Sequence, residues 1–154
     1  MTYKQALQIA ALLAVQTSSA NEPIAITGDY VVPAGLAIGD IVEMAPLPSG
    51  YVVADLTLAA EECDSAAGMT IDAGVLSGDF GVVDNARTMG NEFFAASTIG
   101  QAGGVARASK QQGFMIAPTE NTRGLGIKFA AIGTPIVGAK LRFIAWVRPA
   151  LNGV

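Results

Sequence analysis

Apolar and polar residues alternate along residues 39–81 in a pattern that predicts three short β-strands. Within 52–58 and 69–73 every second residue is apolar, and a period of two places alternate side chains on opposite faces of a sheet. Turns are predicted at 46–50 and 64–68, because Pro, Gly, Ser and Asp set or permit turn dihedrals. The positions expected to face the core are Val52, Ala54, Leu56, Leu58, Met69, Ile71 and Ala73.

The chain on both sides of this stretch continues the same strand pattern. Further strands are predicted at 24–27, 30–32, 38–44, 125–131 and 141–147. Roughly eight strands at spacings near ten residues are typical of a β-sandwich or barrel. The sequence therefore predicts an all-β fold.

One short helix is predicted at 91–99. Asn91 suits the N-cap position, Glu92 favours the positive end of a helix, and Gly100 is typical of a helix end. At least one of its two aromatic side chains should enter the core; these are Phe93 and Phe94.

Residues 1–22 predict an N-terminal arm that precedes a sandwich domain at 23–154. The segment is similar in composition to a signal peptide, but Gln5 and Gln8 interrupt its apolar stretch. We expect an arm that is helical in part. Its apolar residues would lie around most of the helix circumference and would need to be covered by the sandwich or by a neighbouring subunit. They are Leu7, Ile9, Leu12, Leu13 and Val15.

Composition indicates an apolar chain with few charges. Apolar residues make up 51% of the sequence and charged residues 14%, whereas a charged share of about 25% is usual. Burial in an oligomer or against a large partner would hide the apolar area; a surface of Ala, Gly, Ser and Thr is the alternative. The single cysteine, Cys63, is expected to be a reduced structural thiol. No apolar run is long enough to span a membrane.

Charge is divided unevenly along the chain. Residues 1–86 contain eleven acidic residues and one Lys, whereas residues 87–154 contain eight basic and two acidic residues. This polarity either steers head-to-tail contacts or docking on a charged surface, or is neutralised between neighbouring strands of one sandwich. Nucleic-acid binding is not predicted, since the basic residues are spread out and few aromatic residues lie among them.

The sequence contains few residues suited to catalysis or metal binding. It has no histidine, which excludes Ser-His-Asp and Cys-His catalysis and the usual zinc sites, and it has no P-loop motif. An acidic turn offers oxygen ligands for calcium, and two aspartates on alternating strands offer a glycosidase-like acid and base that pair across strands. Solvated surface carboxylates are the simpler interpretation of both groups. The residues are Glu61, Glu62 and Asp64 for calcium, and Asp55 and Asp72 for the pair.

Trp146 is the strongest candidate for an interaction site. It falls on the face of the last strand opposite Leu141, Phe143 and Val147, where an aromatic residue between Arg142 and Arg148 is typical of an interface anchor. The alternative is that the N-terminal arm covers this face within the same chain.

The run GDIVEMAPLPSGYVVADLTLAAEECDSAAGMTIDAGVLSG resembles the small jelly-roll head decoration, or cement, proteins of tailed bacteriophages. The segments EFFAASTIG and LRFIAWVRP are similar to that group as well, and the likeness extends over residues 24–149. It implies a jelly-roll-like antiparallel β-sandwich with an N-terminal arm and one short helix.

The resemblance also implies a structural role without enzymatic activity or cofactor. It implies a homotrimer on the outer surface of a phage head that clamps neighbouring subunits of the major capsid protein. During assembly the protein would be in the host cytoplasm. The residues predicted to make these contacts are Tyr3, Leu7, Leu12, Leu13, Val15, Arg142, Trp146 and Arg148. The alternative function is a surface-binding module for a glycan or host molecule, with Tyr30, Tyr51 and Trp146 as stacking rings.

Overall fold

The computed structural model describes residues 2–5 and 22–150, and these form a two-sheet β-sandwich. Its elements are β1 (Tyr3–Gln5), β2 (Ile24–Val31), β3 (Ile41–Leu47), β4 (Tyr51–Ala60), β5 (Thr70–Val75), β6 (Phe94–Ser97), α1 (Ile99–Ala102), β7 (Gly104–Arg107), α2 (Gln111–Phe114), β8 (Arg123–Ala131) and β9 (Lys140–Pro149). The all-β class predicted from strand alternation is confirmed.

The strand order is that of a jelly roll. One sheet has the order β2-β9-β4-β7, and the other has β3-β8-β5-β6 with β1 added in parallel beside β3. From β2 to β9 the chain changes sheet at every connection except the one between β5 and β6. All other neighbouring strands pair antiparallel, so the expected jelly-roll-like sandwich is present.

The connections cluster at the two ends of the sandwich. Residues 32–40, 61–69, 98–103 and 132–139 lie together at one end, called the 61–69 end below. For example, the Ser65 N–H donates to the Thr134 carbonyl at 3.0 Å. Because β5 runs the length of the sandwich, the 76–93 connection that follows it begins at the opposite end.

The main core lies between the sheets and contains the large apolar side chains of their inner faces, including Phe129, Phe143, Leu56 and Leu58. Alternation predicts this core well, with one exception in β4. The register shifts between Val53 and Asp55, so Val53 joins the core and Ala54 is exposed, opposite to the prediction. A β-bulge inverts the inward and outward positions on either side of it.

Other predicted boundaries need correction. The segments 24–27 and 30–32 form one continuous strand, β2, because all eight of its residues, Gly28 included, pair with β9. Gly28 permits close approach of the sheets, since a Cβ there would lie 1.9 Å from the Met44 carbonyl oxygen.

The helix predicted at 91–99 is wrong. Residues 94–97 form β6, which pairs with β5, and the described residues contain two four-residue helices that lie after it. Ala96 has a positive φ of 51°, which a right-handed helix does not permit. The backbone partner supplied by β5 therefore decided this segment. Both Phe93 and Phe94 are buried, which confirms that at least one enters the core.

The uneven charge of the two halves is neutralised largely inside the fold. Among the described residues, four of the five ion pairs join an acidic residue before 87 to a basic residue from 87 onward. They are Glu43–Arg87, Asp55–Arg107, Asp72–Lys128 and Asp29–Arg142. Neutralisation between neighbouring segments therefore accounts for much of the polarity.

Cys63 is a buried free thiol, as predicted. Burial, followed by the carboxylates of Glu61 and Asp64, raises the pKa of Cys63 to about 11. With this pKa, only about one thiol in a thousand is ionised near pH 8. Because the thiolate is the reactive form, Cys63 is expected to react slowly in the folded protein.

We expect native protein to resist iodoacetamide near pH 8 and to react fully once unfolded in guanidinium, with mass spectrometry counting the adducts. Equal labelling rates in the folded and unfolded states would contradict a buried thiol.

Candidate interaction surfaces

The outer face of the β2-β9-β4-β7 sheet presents a low-charge surface centred on Trp146. Trp146 is 43% exposed and lies between Ala25 of β2 and Asp55 of β4. We call this surface the Trp146 face and define it by its central residues, Ala25, Thr27, Thr57, Ala59, Ile144 and Trp146.

Two ion pairs border the Trp146 face. Asp29 accepts two hydrogen bonds from the Arg142 guanidinium, at 2.7 and 2.9 Å, and Asp55 pairs with Arg107. The hydrogen bond to Asp29, followed by its charge, raises the pKa of Arg142 further. A central aromatic residue among small and aliphatic neighbours, with a charged rim, is the usual composition of a protein interface.

The predicted interface residues are distributed over different places. Arg142 and Trp146 share the outer face of β9, and Arg148 is half-buried and donates to its own Pro149 carbonyl at 3.2 Å. Tyr3 instead packs inside its own chain, buried beside Ile41. The four remaining predictions, Leu7, Leu12, Leu13 and Val15, lie outside the described residues, as does most of the predicted helical arm. Residues 3–5 form β1.

Tyr3 contacts a buried ion pair that sequence analysis did not identify. The Arg87 Nη2 atom donates to Glu43 Oε1 at 3.0 Å, and both side chains are almost fully buried. The Tyr3 hydroxyl donates to the other Glu43 oxygen, and the Arg87 guanidinium lies 5.2 Å from the centre of the Tyr3 ring. This network joins β1, β3 and the 76–93 connection. The sequence feature that indicates this buried ion pair is Glu43, the single charged residue inside the apolar strand IVEMAPL.

The same ion pair holds a loop at 79–84, called the 79–84 loop below. Gly81 N–H donates to Glu43 Oε2 at 3.0 Å, and Arg87 Nη1 donates to the Val82 carbonyl at 2.9 Å. Two adjacent valines at the loop tip remain exposed, Val82 at 48% and Val83 at 76%.

The proposed glycosidase-like pair is not assembled. Asp55 lies in β4 and Asp72 in β5, and these strands belong to different sheets. Asp72 is also buried rather than solvated; it accepts a hydrogen bond from the Ala96 N–H at 2.8 Å and lies 3.8 Å from the Lys128 ammonium.

Of the three acidic residues at 61–64, Asp64 and Glu61 bind backbone N–H groups of the chain, and Glu62 is exposed. The buried Asp64 carboxylate accepts five backbone N–H hydrogen bonds, from Ala66, Gly68, Met69, Gly133 and Thr134. Glu61 accepts one from the Lys140 N–H at 2.8 Å. Within the described ranges, no group of three or more acidic or cysteine side chains is arranged to hold a metal ion.

A depression of about 490 Å³ lies at one edge of the Trp146 face. Its charged lining residues are Asp29, Glu61, Lys140 and Arg142. Both carboxylates accept hydrogen bonds within the chain, Asp29 from the Arg142 guanidinium and Glu61 from the Lys140 backbone N–H. In the part of the chain that the structure covers, no helix has the length and apolar character needed to cross a bilayer.

The described residues thus combine a jelly-roll sandwich with exposed surfaces, and the aspartates considered for chemistry, Asp55, Asp64 and Asp72, are bonded within the chain. The chain is similar to chains in three solved phage capsid structures. The chain is 33% identical to a chain in the capsid of Ralstonia phage GP4, with a TM-score of 0.90 over 97% of this chain and 99% of that chain. It therefore belongs to a family of bacteriophage capsid proteins.

Two further structures share the fold. A chain in the asymmetric unit of the cyanophage Pam1 capsid is 20% identical, with a TM-score of 0.59 over 90% of this chain and 93% of that chain. A chain in the acidic stable capsid structure of Helicobacter pylori bacteriophage KHP30 is 11% identical, with a TM-score of 0.50 over 85% and 94%. No protein-family model and no curated protein sequence matches the chain.

Proposed function

We propose that this protein is a non-enzymatic capsid decoration, or cement, protein that binds as a homotrimer to the outer surface of a phage head. Its partner is the major capsid protein, which it meets after folding in the host cytoplasm. Membership in a capsid-protein family supports the virion role, and coverage of nearly the full length of both chains supports a role for the whole jelly roll. The exposed Trp146 face is the observation that favours self-association.

This role requires only a modest affinity at each individual contact with the shell. Three linked copies raise the effective concentration of each contact with the shell, so that weak affinities combine into tight binding. A protein that binds the assembled lattice but not free capsid subunits stabilises the lattice by mass action.

The structure removes support from the glycan-binding alternative. Two of its three proposed stacking rings, Tyr30 and Tyr51, are buried in the main core. Only Trp146 of that set is exposed, and a single ring is a weak basis for a sugar site.

The function is tested by mixing the purified protein with capsids that lack it. We expect cosedimentation with capsids, greater resistance of those capsids to heat, and a trimer in sedimentation velocity at micromolar concentration. A monomer that does not bind capsids would exclude the proposal.

Replacing Trp146 with Ser should weaken the trimer. Loss of a central aromatic anchor weakens the binding free energy by about 2 kcal/mol or more per contact, which corresponds to about 30-fold in affinity. Sedimentation velocity over a concentration series measures the shift towards monomer. Ile38→Ser is the matched control, since Ile38 is an exposed apolar side chain in the 32–40 connection at the 61–69 end. Equal dissociation of both variants would argue against the Trp146 face.

A further inference from the structure

The 79–84 loop combines three features that together indicate a docking element. Among the described residues, Val82 and Val83 at its tip remain exposed. Two exposed carboxylates, Asp79 and Asp84, flank the valines, and neither forms an ion pair among the described residues. The loop base is fixed by a buried charge network.

The backbone of the loop is held on both sides of the valines. Besides its bonds to Glu43 and Arg87, the loop is held by the Phe80 N–H, which donates to the Thr122 carbonyl at 2.9 Å. On the far side, the Asn85 side chain accepts a hydrogen bond from the Tyr3 N–H at 3.1 Å. A loop that is ordered before binding loses less conformational entropy on binding, so its exposed side chains contribute more of their burial free energy to affinity.

The charges indicate what kind of surface the loop fits. Two carboxylates around an apolar tip complement an apolar hollow that is rimmed by Lys or Arg side chains. A second copy of this chain offers few such cations. Of its nine basic residues, five are in ion pairs within the chain, namely Lys4, Arg87, Arg107, Lys128 and Arg142.

Three of the four other basic residues also donate to acceptors in their own chain. Lys110 donates to Asn91, Arg123 to the Ala117 carbonyl and Arg148 to the Pro149 carbonyl. The net charge of −4 further opposes contact between acidic loops of identical copies. These internal bonds leave few unengaged cations on a second copy, so the basic rim is better supplied by a different protein.

We infer that the 79–84 loop is a preorganised docking element that inserts Val82 and Val83 into an apolar, basic-rimmed hollow on the capsid shell. This inference rests on the proposed function, because the shell is the partner in both. The loop and the Trp146 face are separate surfaces, so capsid binding and self-association respond to different substitutions.

Capsid cosedimentation of the variant V82S/V83S tests the inference. The substitutions remove two branched aliphatic side chains that would be buried on binding. We therefore expect the affinity for capsids to fall about tenfold or more while the trimer remains intact. The matched control is I38S/V137S, which removes two equally exposed aliphatic side chains, at 65% and 64%, from the 61–69 end. The control should bind within about twofold of wild type.

A second variant tests the charges without altering the apolar tip. D79N/D84N should bind capsids more weakly than wild type at low NaCl concentration and should lose part of the salt dependence of binding. E61Q/E62Q removes the same number of charges at the 61–69 end and should leave binding and its salt dependence unchanged. Thermal unfolding confirms that each variant is folded.

The outcomes separate the two proposals. If wild type binds capsids and V82S/V83S binds equally well, the docking inference is overturned and the proposed function stands. If V82S/V83S dissociates the trimer but still binds capsids, the loop contacts a second copy and the inference is also overturned. If wild type does not bind capsids, both proposals fail.

Discussion

Replacing Arg87 with Met is expected to lower the free energy of unfolding by about 3–5 kcal/mol, because it leaves the charge of Glu43 buried without a cationic partner. Glu43 is fully buried, and the remaining donors near it are the Tyr3 hydroxyl and the Gly81 N–H. The substitution also removes donors from the carbonyls of Ser77 and Val82. Urea denaturation at neutral pH and a fixed protomer concentration measures the change.

The matched control for R87M is R107M. Arg107 also pairs with a carboxylate, that of Asp55, but its side chain is largely exposed, and an exposed pair contributes only about 0–1 kcal/mol. The double variant E43Q/R87M removes both charges of the buried pair and should recover about half of the loss. A loss for R87M no larger than that for R107M would show that the buried pair does not fix the 76–93 connection.

Replacing Asp64 with Asn is expected to lower the free energy of unfolding by about 3 kcal/mol or more, since hydrogen bonds to a charged acceptor contribute more to stability than those to a neutral acceptor. The Asp64 carboxylate joins the 64–68 turn to residues 133 and 134 through five backbone N–H donors. An Asn side chain has one acceptor oxygen, and its NH₂ group would face N–H donors. Denaturation at neutral pH measures this loss, and exposed Asp79→Asn is the control.

The D64N variant should also be less sensitive to acid. Burial alone would raise the pKa of Asp64, but the backbone N–H donors more than offset burial and hold the pKa below its ordinary value. In the unfolded chain an aspartate has a pKa near 3.9. The unfolded state therefore binds more protons below about pH 5, and the stability contributed by Asp64 is lost as pH falls through the folded pKa.

Comparison of unfolding near pH 7 and near pH 3 checks this point. Wild type should lose more stability between these conditions than D64N does, by an amount that reports the Asp64 contribution. Asp40, whose pKa is also lowered despite burial because Lys4 and backbone donors bind it, retains its share of acid sensitivity in both proteins. The same pH dependence in wild type and D64N would contradict a structural role for the Asp64 carboxylate.

The sequence alone predicted the elements whose pattern is local and regular. Alternation located β4, β5, β8 and β9, because residues two apart in a strand face the same layer and one face must be apolar. The same alternation placed Trp146 outside the core, and the structure leaves it exposed there. Its role as an interface anchor stays a prediction.

Long-range contacts decided what the sequence pattern left open or indicated wrongly. Residues 91–99 have the capping signals of a helix, yet β5 provides backbone partners and draws 94–97 into a sheet. The sequence indicated Asp64 as one acidic residue of a solvated turn. In the structure its carboxylate accepts hydrogen bonds from N–H groups about 70 residues away in sequence. Neither partner is visible in a local window.

For the candidate docking element too, the sequence indicates the local features and the tertiary structure decides the rest. The sequence displays two valines between aspartates in a Gly-containing loop, and this pattern by itself indicates only a loop. Arg87 and Glu43 are 44 residues apart, and only the packing of the 76–93 connection over β3 brings them together and fixes that loop. Local periodicity thus determined the two layers of the sandwich. Tertiary structure decided which charges are buried and which apolar side chains remain outside, because burial depends on neighbours that the chain brings from far along its length.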